Sequence, residues 1–349
     1  MTLWPVVDTR STRFSLAEDY LGTCNILRLA AGVLAAAGGL AGSIGCTSAA
    51  SPPSAAALAS NHSISVDAVP VPLDSSNPST SAIGDFVYAG GLALTSSQTD
   101  QLHGLSDLEV TGTDGLTAVG DMGVFFDARL VFDGAGRLAG LADTRLTLLT
   151  DESGKVLADK EDADAEGLTR LPNGDRLVSF ERRHRVWLYP ADGGPARPVP
   201  TPNVPLPSNG GLEALAADPE AGADAYVVGA EVTGDTWTCR LSAPCVAGPA
   251  VAKAEEFGLV SMKRLPDMRT VYLLRAYDVV RGNSISLQMF RSNALVARMD
   301  VAAPLTVDNF EGVAAVPRTG GGVRFYLLSD DNGNASQRTL LLAFDWQPR

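Results

Sequence analysis

The sequence predicts an all-β protein, a β-propeller with about six blades of four antiparallel strands each. Three observations support this prediction. A short three-stranded unit recurs along the chain, helical periodicity is scarce, and turn residues are frequent, with 35 glycines and 21 prolines in 349 residues. The clearest copy of the unit runs from residue 164 to residue 189.

Within this copy, an Asp-Ala-Glu-Gly opening leads into residues 168–171, where apolar and polar side chains alternate as in a half-buried strand. Residues 172–175, Pro-Asn-Gly-Asp, predict a tight hairpin turn because Asn-Gly readily adopts positive φ. Two further strands are expected over residues 176–181 and 185–189, on either side of a basic turn. Three antiparallel strands in so short a stretch make up most of one blade.

Similar openings begin four further copies at intervals of roughly 45 to 60 residues. They start at Gly104, Asn209, Glu255 and Asn309. The copy at Glu255 is the weakest, because Phe257-Gly258 stands in it where the clearest copy has Glu-Gly. The strand-like segment 64–95 is expected to supply part of a sixth blade, and an early strand is expected to close the ring by pairing with residues 340–344.

Residues 1–45 are predicted to be an export leader. The uncharged run 29–45, rich in Ala, Gly and Leu, is too short for a convincing membrane span and suits the apolar region of a secretory signal. Ser-Ile-Gly at residues 43–45, followed by Cys46, resembles a bacterial lipobox, which predicts lipidation of Cys46. An ordinary signal cleaved nearby is the alternative.

Residues 46–62, mostly Ser, Ala and Pro at the start, predict a flexible tether in front of a globular domain that spans residues 63–349. The protein is therefore expected to be exported. It would be a periplasmic or cell-surface lipoprotein attached to the membrane only through Cys46, or otherwise a secreted protein.

The charge balance excludes two classes of partner. The chain carries 27 basic and 40 acidic residues, a net charge of −13. Nucleic acids and anionic membrane surfaces both require a basic footprint, so neither is expected to bind.

Two cysteines lie within the predicted domain, Cys239 and Cys245. In an exported protein, two cysteines so close in sequence predict a disulfide that closes one loop. A metal site at this loop would need further Cys or His ligands. The three histidines, His62, His103 and His184, are far from it in sequence.

Several segments resemble the bacterial phytase-like family, known as "esterase-like activity of phytase", over roughly residues 90–344. These segments are residues 104–106, 164–168, 171–174, 179–182, 211–215, 309–313 and 328–332. The resemblance implies an exported β-propeller that hydrolyses a small-molecule ester or phosphate-containing substrate. The first copy departs from the family pattern, because Asp107 and Glu109 flank Leu108 where the family usually has Gly-Leu. We expect the protein to be a monomer.

Glu166, Glu213 and Glu311 occupy equivalent positions at the openings of three copies. The innermost strands of a propeller line its channel, so the three carboxylates are expected to converge on the axis and to repel one another unless a cation or protons neutralise them. Oxygen ligands from several loops suit Ca²⁺. A structural latch, in which each Glu accepts hydrogen bonds from the neighbouring blade, and direct acid–base catalysis are the alternatives.

A second set falls at the ends of the second strands: Asp121, Glu181, Glu231, and Asp330 with Asp331 and Asn332. In an antiparallel blade these ends lie beside the openings of the first strands, so this set is predicted to complete the metal site. The sequence that begins at Asp330 lacks the glycine and glutamate spacing of an EF-hand loop, and an acidic Asx turn is its alternative interpretation.

The basic candidates for catalysis are Arg182, Arg183, His184 and Arg275. Arginines beside a metal ion could bind a phosphate group, and His184 could transfer a proton. A solvated hairpin turn is the alternative for residues 182–185. His103 is a candidate ligand or a turn residue, and Ser106 lies outside any nucleophile elbow.

Two functional classes follow from these patterns. The first is a metal-dependent esterase, chiefly a phosphoesterase, in which Ca²⁺ held by the three glutamates polarises the ester. The second is a non-catalytic exported propeller that binds a ligand or a protein at the mouth of its channel. Lactone hydrolysis is a third idea that rests on fold analogy alone. No nucleophile or general base is evident in the sequence.

Overall fold

The computed structural model describes residues 62–348. Over this range the chain forms five sheets, and the innermost strand of each sheet packs against the innermost strands of two others. The sheets therefore close into a ring around a central channel, which is the architecture of a β-propeller. The prediction of an all-β propeller is confirmed. The prediction of six blades is wrong, because the structure has five.

Blades 1 to 4 follow one another along the chain, apart from one early strand. Blade 1 contains β1 (His62–Ser63), β5 (Leu105–Thr111), β6 (Gly115–Gly120), β7 (Val124–Phe132) and β8 (Leu138–Leu148). Blade 2 contains β9 (Ala165–Arg170), β10 (Arg176–Phe180), β11 (Arg185–Tyr189) and β12 (Arg197–Val199). Blade 3 contains β13 (Leu212–Ala217), β14 (Ala225–Ala230), β15 (Thr236–Arg240) and β16 (Ala243–Ala247). Blade 4 contains β17 (Gly258–Arg264), β18 (Arg269–Asp278), β19 (Gly282–Arg291) and β20 (Ala294–Ala302).

Blade 5 combines strands from both parts of the described chain. It contains β2 (Asp67–Pro70), β3 (Ala82–Ile83), β4 (Phe86–Thr95), β21 (Phe310–Pro317), β22 (Val323–Ser329) and β23 (Thr339–Trp346). The short helix α1 (Lys160–Ala163) precedes blade 2, and a 3₁₀ turn spans Thr319–Gly321. No helix within residues 62–348 is long and apolar enough to cross a membrane.

Strand β4 closes the ring by pairing with β23, with Tyr88 opposite Phe344 and Leu92 opposite Leu341. The predicted closure is therefore confirmed, and it also explains the error in blade number. Segment 64–95 does not begin a sixth blade, because its strands cover the edge of β23 that would otherwise remain unpaired.

The hydrophobic cores lie between adjacent blades. The largest fills the interface of blades 4 and 5, where Leu273, Leu287, Phe325 and Phe344 are all fully buried. Burying side chains of this size contributes about 1.5–3 kcal/mol each. The outer strand β20 alternates buried and exposed residues, as expected for a strand with one face in contact with solvent.

Each inner strand carries a β-bulge at the same position, where one residue has no partner on the second strand. The unpaired residues are Ser106, Glu166, Glu213, Val260 and Glu311. The equivalence predicted for the three glutamates is thus confirmed by the register. In blade 4 the equivalent residue is Val260, and not Phe257 as the sequence alignment of the copies indicated.

The residue after the bulge lies where neighbouring inner strands approach most closely. At Gly167, an added Cβ would lie 2.4 Å from the Glu213 carbonyl oxygen and 2.9 Å from Leu215 Cβ. At Gly312 it would lie 2.9 Å from Asp107 Cα. Only a residue without a side chain fits these two positions in blades 2 and 5.

The predicted disulfide between Cys239 and Cys245 is confirmed, and it links the paired strands β15 and β16.

We expect Gly167→Ala to lower the free energy of unfolding by about 1–3 kcal/mol, because the methyl group overpacks the contact between blades 2 and 3. Urea unfolding of the purified domain measures this difference. Gly134→Ala is the matched control, because an added Cβ at Gly134 has no atom within 4 Å. Equal stability of the two variants would show that the inner strands can separate at no cost.

Candidate functional site

One end of the channel opens into a cavity of about 370 Å³ that we call the acidic funnel. Its lining contains eight carboxylates, three cations and two amides: Asp121, Asp164, Glu166, Glu181, Glu213, Glu231, Glu311, Asp330, Lys160, Arg182, Arg275, Asn209 and Asn332. The lining contains every residue of the predicted metal set except Asp331, together with Arg182 and Arg275. Arg183 and His184 are not part of this lining.

The funnel is built from two rings of equivalent residues. The bulge residues of the inner strands form the first ring. The second ring consists of the residues that directly follow the second strands of four blades, Asp121, Glu181, Glu231 and Asp330, and of Arg275, which has the equivalent position within β18. Four of the five blades therefore place an acid in the second ring, and blade 4 places an arginine there.

Arg275 joins blades 3, 4 and 5 through its guanidinium group. It lies 3.0 Å from Glu311 Oε1 and 3.2 Å from Glu231 Oε1, and it also donates to the Asn309 side chain. Burial acts to lower the pKa of Arg275, but Glu311, Glu213 and Glu231 outweigh it and raise that pKa. Arg275 is thus a fixed cation on one side of the funnel.

Other funnel carboxylates also have partners. Asp164 accepts hydrogen bonds from Lys160 and Arg182, each at 2.5 Å, and Lys160 lies 2.5 Å from Asp121 Oδ2. Glu181 Oε1 accepts the backbone N–H groups of Gly210 and Gly211 in the next blade, the latter at 3.1 Å. The structural latch to the next blade, which the sequence analysis considered for Glu166, Glu213 and Glu311, is therefore formed by Glu181 of the second ring.

Glu166 and Glu213 differ from these residues. No donor among residues 62–348 forms a hydrogen bond or ion pair with either carboxylate, although Glu213 is only 8 % exposed. The buried Oδ1 of Asp121 also has no partner within the described chain. These oxygens are available to a ligand that the protein itself does not supply.

The excess of negative charge shifts the acid equilibria in the funnel. Burial, followed by repulsion from Glu311, Asp164 and Glu181, raises the pKa of Glu166 well above its ordinary value. Burial and the neighbouring Glu231 and Glu166 raise the pKa of Glu213 in the same way. The pKa of Asp330 rises to about 9, through burial and Glu311. Without a cation, the funnel is expected to bind protons at neutral pH.

The donor set fits a hard divalent cation. Asp164, Glu166 and Glu181 each offer one oxygen, and the three oxygens lie within 4.8 Å of one another. The lining contains no His or Cys, so its ligands are the oxygen atoms that Ca²⁺ and Mg²⁺ prefer, and not the nitrogen and sulfur ligands typical of Zn²⁺. The free oxygens of Glu166, Glu213 and Asp121 support the same assignment. The metal itself stays a prediction.

The channel is blocked below the funnel by a buried ion pair. Asp107 takes the position that glycine occupies in blades 2 and 5, and its carboxylate lies 2.8 Å from Lys263 Nζ. Asp107 also accepts the Leu168 N–H and the Ser261 hydroxyl, both at 2.9 Å. Burial raises the pKa of Asp107 to about 6, and the nearby Lys263 opposes this shift. The pair is therefore charged at neutral pH, and the departure from the family pattern at Asp107 forms a plug.

Sequence reasoning missed three features of the funnel. It did not include Asp164 or Lys160 in the site, and it could not pair Asp107 with Lys263. Asp164 is the residue immediately before β9 and lies two residues before the predicted Glu166. This position could have identified Asp164 as a site residue. Lys263 lies 156 residues from Asp107, and no sequence signal joins the two.

A larger groove of about 700 Å³ adjoins the funnel at Arg275, which lines both. It lies between blades 4 and 5. Its lining includes Arg275, Arg281, Arg338, Tyr277, Asn283, Asn334 and Gln337. Arginine, amide and aromatic side chains predominate in this groove, whereas carboxylates predominate in the funnel.

The fold and the site define a class: five-bladed propellers with an acidic cavity at one end of a plugged channel. The chain belongs to the Phytase-like family, described as "Esterase-like activity of phytase", whose sequence model matches residues 100–333. The family assigned by resemblance is thus confirmed. No curated protein matches the chain in sequence.

Several solved structures are similar to this chain. Virginiamycin B lyase from Staphylococcus aureus shares 10% identity at a TM-score of 0.42, covering 74% of this chain and 99% of the lyase. A putative gluconolactonase shares 11% identity at a TM-score of 0.44, covering 83% and 91%. A protein of unknown function from Bacteroides caccae shares 13% identity at a TM-score of 0.37, covering 74% and 89%. We draw nothing about function from likenesses this distant.

We expect Lys263→Met to lower the free energy of unfolding by about 3–5 kcal/mol, because it leaves Asp107 buried without its counter-ion. Denaturant unfolding at neutral pH checks this value. Adding Asp107→Asn to the same chain should recover part of the loss, since the fully buried carboxylate is removed and only Glu109, 3.5 Å from Lys263 Nζ and 19% exposed, still lacks its cation. Wild-type stability in the single variant would contradict the plug.

Proposed function

We propose that the protein is a metal-dependent ester hydrolase that acts on phosphate esters, with its cation held in the acidic funnel. The observation that carries this proposal is the charge of the funnel, where eight carboxylates face three cations and the carboxylates of Glu166 and Glu213 form no hydrogen bond or ion pair within the described chain. Membership of a family described by esterase-like activity supports the hydrolytic part.

The cation would be held by Asp164, Glu166 and Glu181, with Glu213, Glu311, Asp121 and Asp330 around them. When bound there, Ca²⁺ supplies Lewis acidity that polarises an ester oxygen and favours ionisation of water. The carboxylates contribute a fixed site whose neighbouring elements already hold them in place, namely α1 for Asp164 and the next blade for Glu181.

Arg275 and Arg182 provide positive charge at the rim of the funnel. A guanidinium group attracts phosphate oxygens. The terminal nitrogens of Arg275 are bound by Glu231, Glu311 and Asn309, so Arg275 contributes a fixed positive charge beside the site. Arg182 is held by Asp164 while 35% of its side chain stays exposed. A phosphate ester can therefore meet cations from the protein beside the carboxylate cluster.

The adjoining groove supports a substrate larger than its reacting group. At about 700 Å³ it exceeds the funnel, and it meets the funnel at Arg275. The alcohol portion of the ester would lie in this groove, where Tyr277 and the amides of Asn283 and Gln337 offer a stacking face and hydrogen bonds.

Export remains part of the proposal. The disulfide between Cys239 and Cys245 supports it, because such bonds persist in oxidising compartments. The leader 1–45, the tether that begins at residue 46 and the lipidation of Cys46 lie outside the described residues, apart from His62 at the end of the tether. They stay predictions, as does the monomeric state.

Excess Ca²⁺ should raise the thermal midpoint of the protein, and a chelator should lower it. A site filled at 100 times its Kd stabilises the fold by about 2.7 kcal/mol. The double variant Glu166→Gln/Glu311→Gln should lose this response, whereas Glu152→Gln/Glu220→Gln, which changes two exposed glutamates, should keep it. The metal site would be refuted if Ca²⁺, Mg²⁺ and chelator all left the thermal midpoint of the wild-type protein unchanged.

Hydrolysis of p-nitrophenyl phosphate should require the metal, so chelation should abolish it and Ca²⁺ should restore it. The same assay with p-nitrophenyl acetate tests preference between phosphate and carboxylic esters. Metal-dependent stabilisation without hydrolysis of either ester would favour the alternative, a propeller that binds a ligand at its channel mouth without converting it.

A further inference from the structure

His103 and Asp331 form a hydrogen-bonded pair where blade 5 meets blade 1. Nδ1 of His103 lies 2.6 Å from Oδ2 of Asp331. His103 precedes β5 of blade 1, and Asp331 follows β22 of blade 5. The sequence predicts Asp331 as part of the metal set and His103 as a candidate ligand, but neither residue lines the acidic funnel.

Asp331 is held in a single orientation by donors from three segments. Its Oδ1 accepts the N–H groups of Gly104 at 3.2 Å and Gly333 at 3.1 Å, and its Oδ2 accepts the Thr339 hydroxyl at 2.8 Å. Asp331 is thus the acceptor of every contact that its carboxylate makes, and Nδ1 of His103 carries the proton that it donates to Oδ2.

Nε2 of His103 is consequently left as the basic nitrogen. No residue within 62–348 forms a hydrogen bond with this atom, and 47% of the side chain is exposed. His184 differs on both counts, because its Nε2 lies 2.7 Å from the Pro207 carbonyl oxygen and its Nδ1 is buried. His103 therefore has the oriented ring and the open nitrogen that a proton-transfer group requires.

The sequence neighbours of both residues contact or line the acidic funnel. Gly104, next to His103, packs so closely on Asp121 that a Cβ at this position would lie 1.8 Å from Asp121 Oδ1. The residues on either side of Asp331, which are Asp330 and Asn332, both line the funnel. His103 is thus next in sequence to Gly104, which contacts the funnel residue Asp121. Its partner Asp331 is next in sequence to two residues that line the funnel.

We propose that His103 is the general acid–base of this site and that Asp331 is its positioning residue, an inference that rests on the proposed hydrolase function. Nε2 accepts a proton from water as the water oxygen forms a bond to the phosphorus atom of the ester. The bond from that atom to the leaving oxygen then breaks with its electron pair. The imidazolium returns the proton to this oxygen, so ester and water yield acid and alcohol.

Fastening blade 5 to blade 1 does not require this ring. The bond from the Gly104 N–H to Asp331 already joins the two blades, as does the contact of Gly312 with Asp107. The bond from His103 Nδ1 adds to this closure, but the open Nε2 has no part in it and is left for proton transfer.

The test uses p-nitrophenyl phosphate in the presence of Ca²⁺, with full-length wild-type protein and His103→Ala. General acid–base groups contribute about 10²–10⁴-fold, so kcat should fall by about 100-fold or more while KM and the Ca²⁺-dependent thermal shift stay unchanged. Added imidazole should restore part of kcat, because it can occupy the space left by the ring. His62→Gln, on the outermost strand of blade 1, should retain wild-type kcat.

Asp331→Asn tests positioning through a spectroscopic readout. In wild-type protein, imidazole ¹⁵N shifts of His103 should show a proton on Nδ1, and this preference should disappear in Asp331→Asn. Inorganic phosphate with Ca²⁺ should shift the His103 resonances of the wild type. If His103→Ala fails to fold, His103→Gln provides the same kinetic comparison.

Wild-type kcat in a folded His103 variant, or a loss of kcat that imidazole does not restore, would overturn the acid–base role and leave the proposed hydrolase intact. Hydrolysis that occurs while phosphate leaves the His103 resonances unmoved would do the same. A wild-type protein that neither hydrolyses the ester nor responds to phosphate would instead refute the proposed function, and the role of His103 with it.

Discussion

The convergence of five inner strands on one axis is the constraint on which the structure depends. Strands that meet this closely leave room for glycine alone at Gly167 and Gly312, and the bulge beside each of these residues turns its glutamate towards the mouth of the channel. Packing and chemistry are therefore set by the same few residues. Blade 1 has Asp107 at this position instead of glycine. The extra side chain lies near the axis, where Lys263 neutralises its charge.

Contacts between blades and contacts within the site are made by the same ring of residues. Glu181 reaches the backbone of blade 3, Arg275 reaches blade 5, and Asp331 reaches blade 1. The funnel is thus assembled only when each blade has docked on the next. The carboxylates that repel one another are held together by these contacts, which accounts for a cavity that is short of positive charge in a folded protein.

Repetition made much of the fold readable from sequence. The turn residues and the recurring openings identify the propeller, and the equivalence of Glu166, Glu213 and Glu311 follows from their place in each copy. The blade number could not be predicted in this way. The strand pattern of segment 64–95 is the same whether the segment starts a new blade or, as the structure shows, completes blade 5. The pairs Asp107–Lys263 and His103–Asp331 were also beyond reach, since each joins residues more than 150 positions apart. Such contacts depend on which blades are neighbours, a property of closure and not of local pattern.

The closing strand has a consequence for how the molecule forms during synthesis. Strand β4 is made well before its partner β23, because almost all strands of blades 1 to 4 lie between them in the chain. Until then β4 presents an open edge, the feature that most readily pairs with a foreign chain. Non-local pairing of this kind is slow, and it exposes intermediates to aggregation. A partly made chain therefore cannot close its ring, and the domain is complete only when β23 pairs with β4.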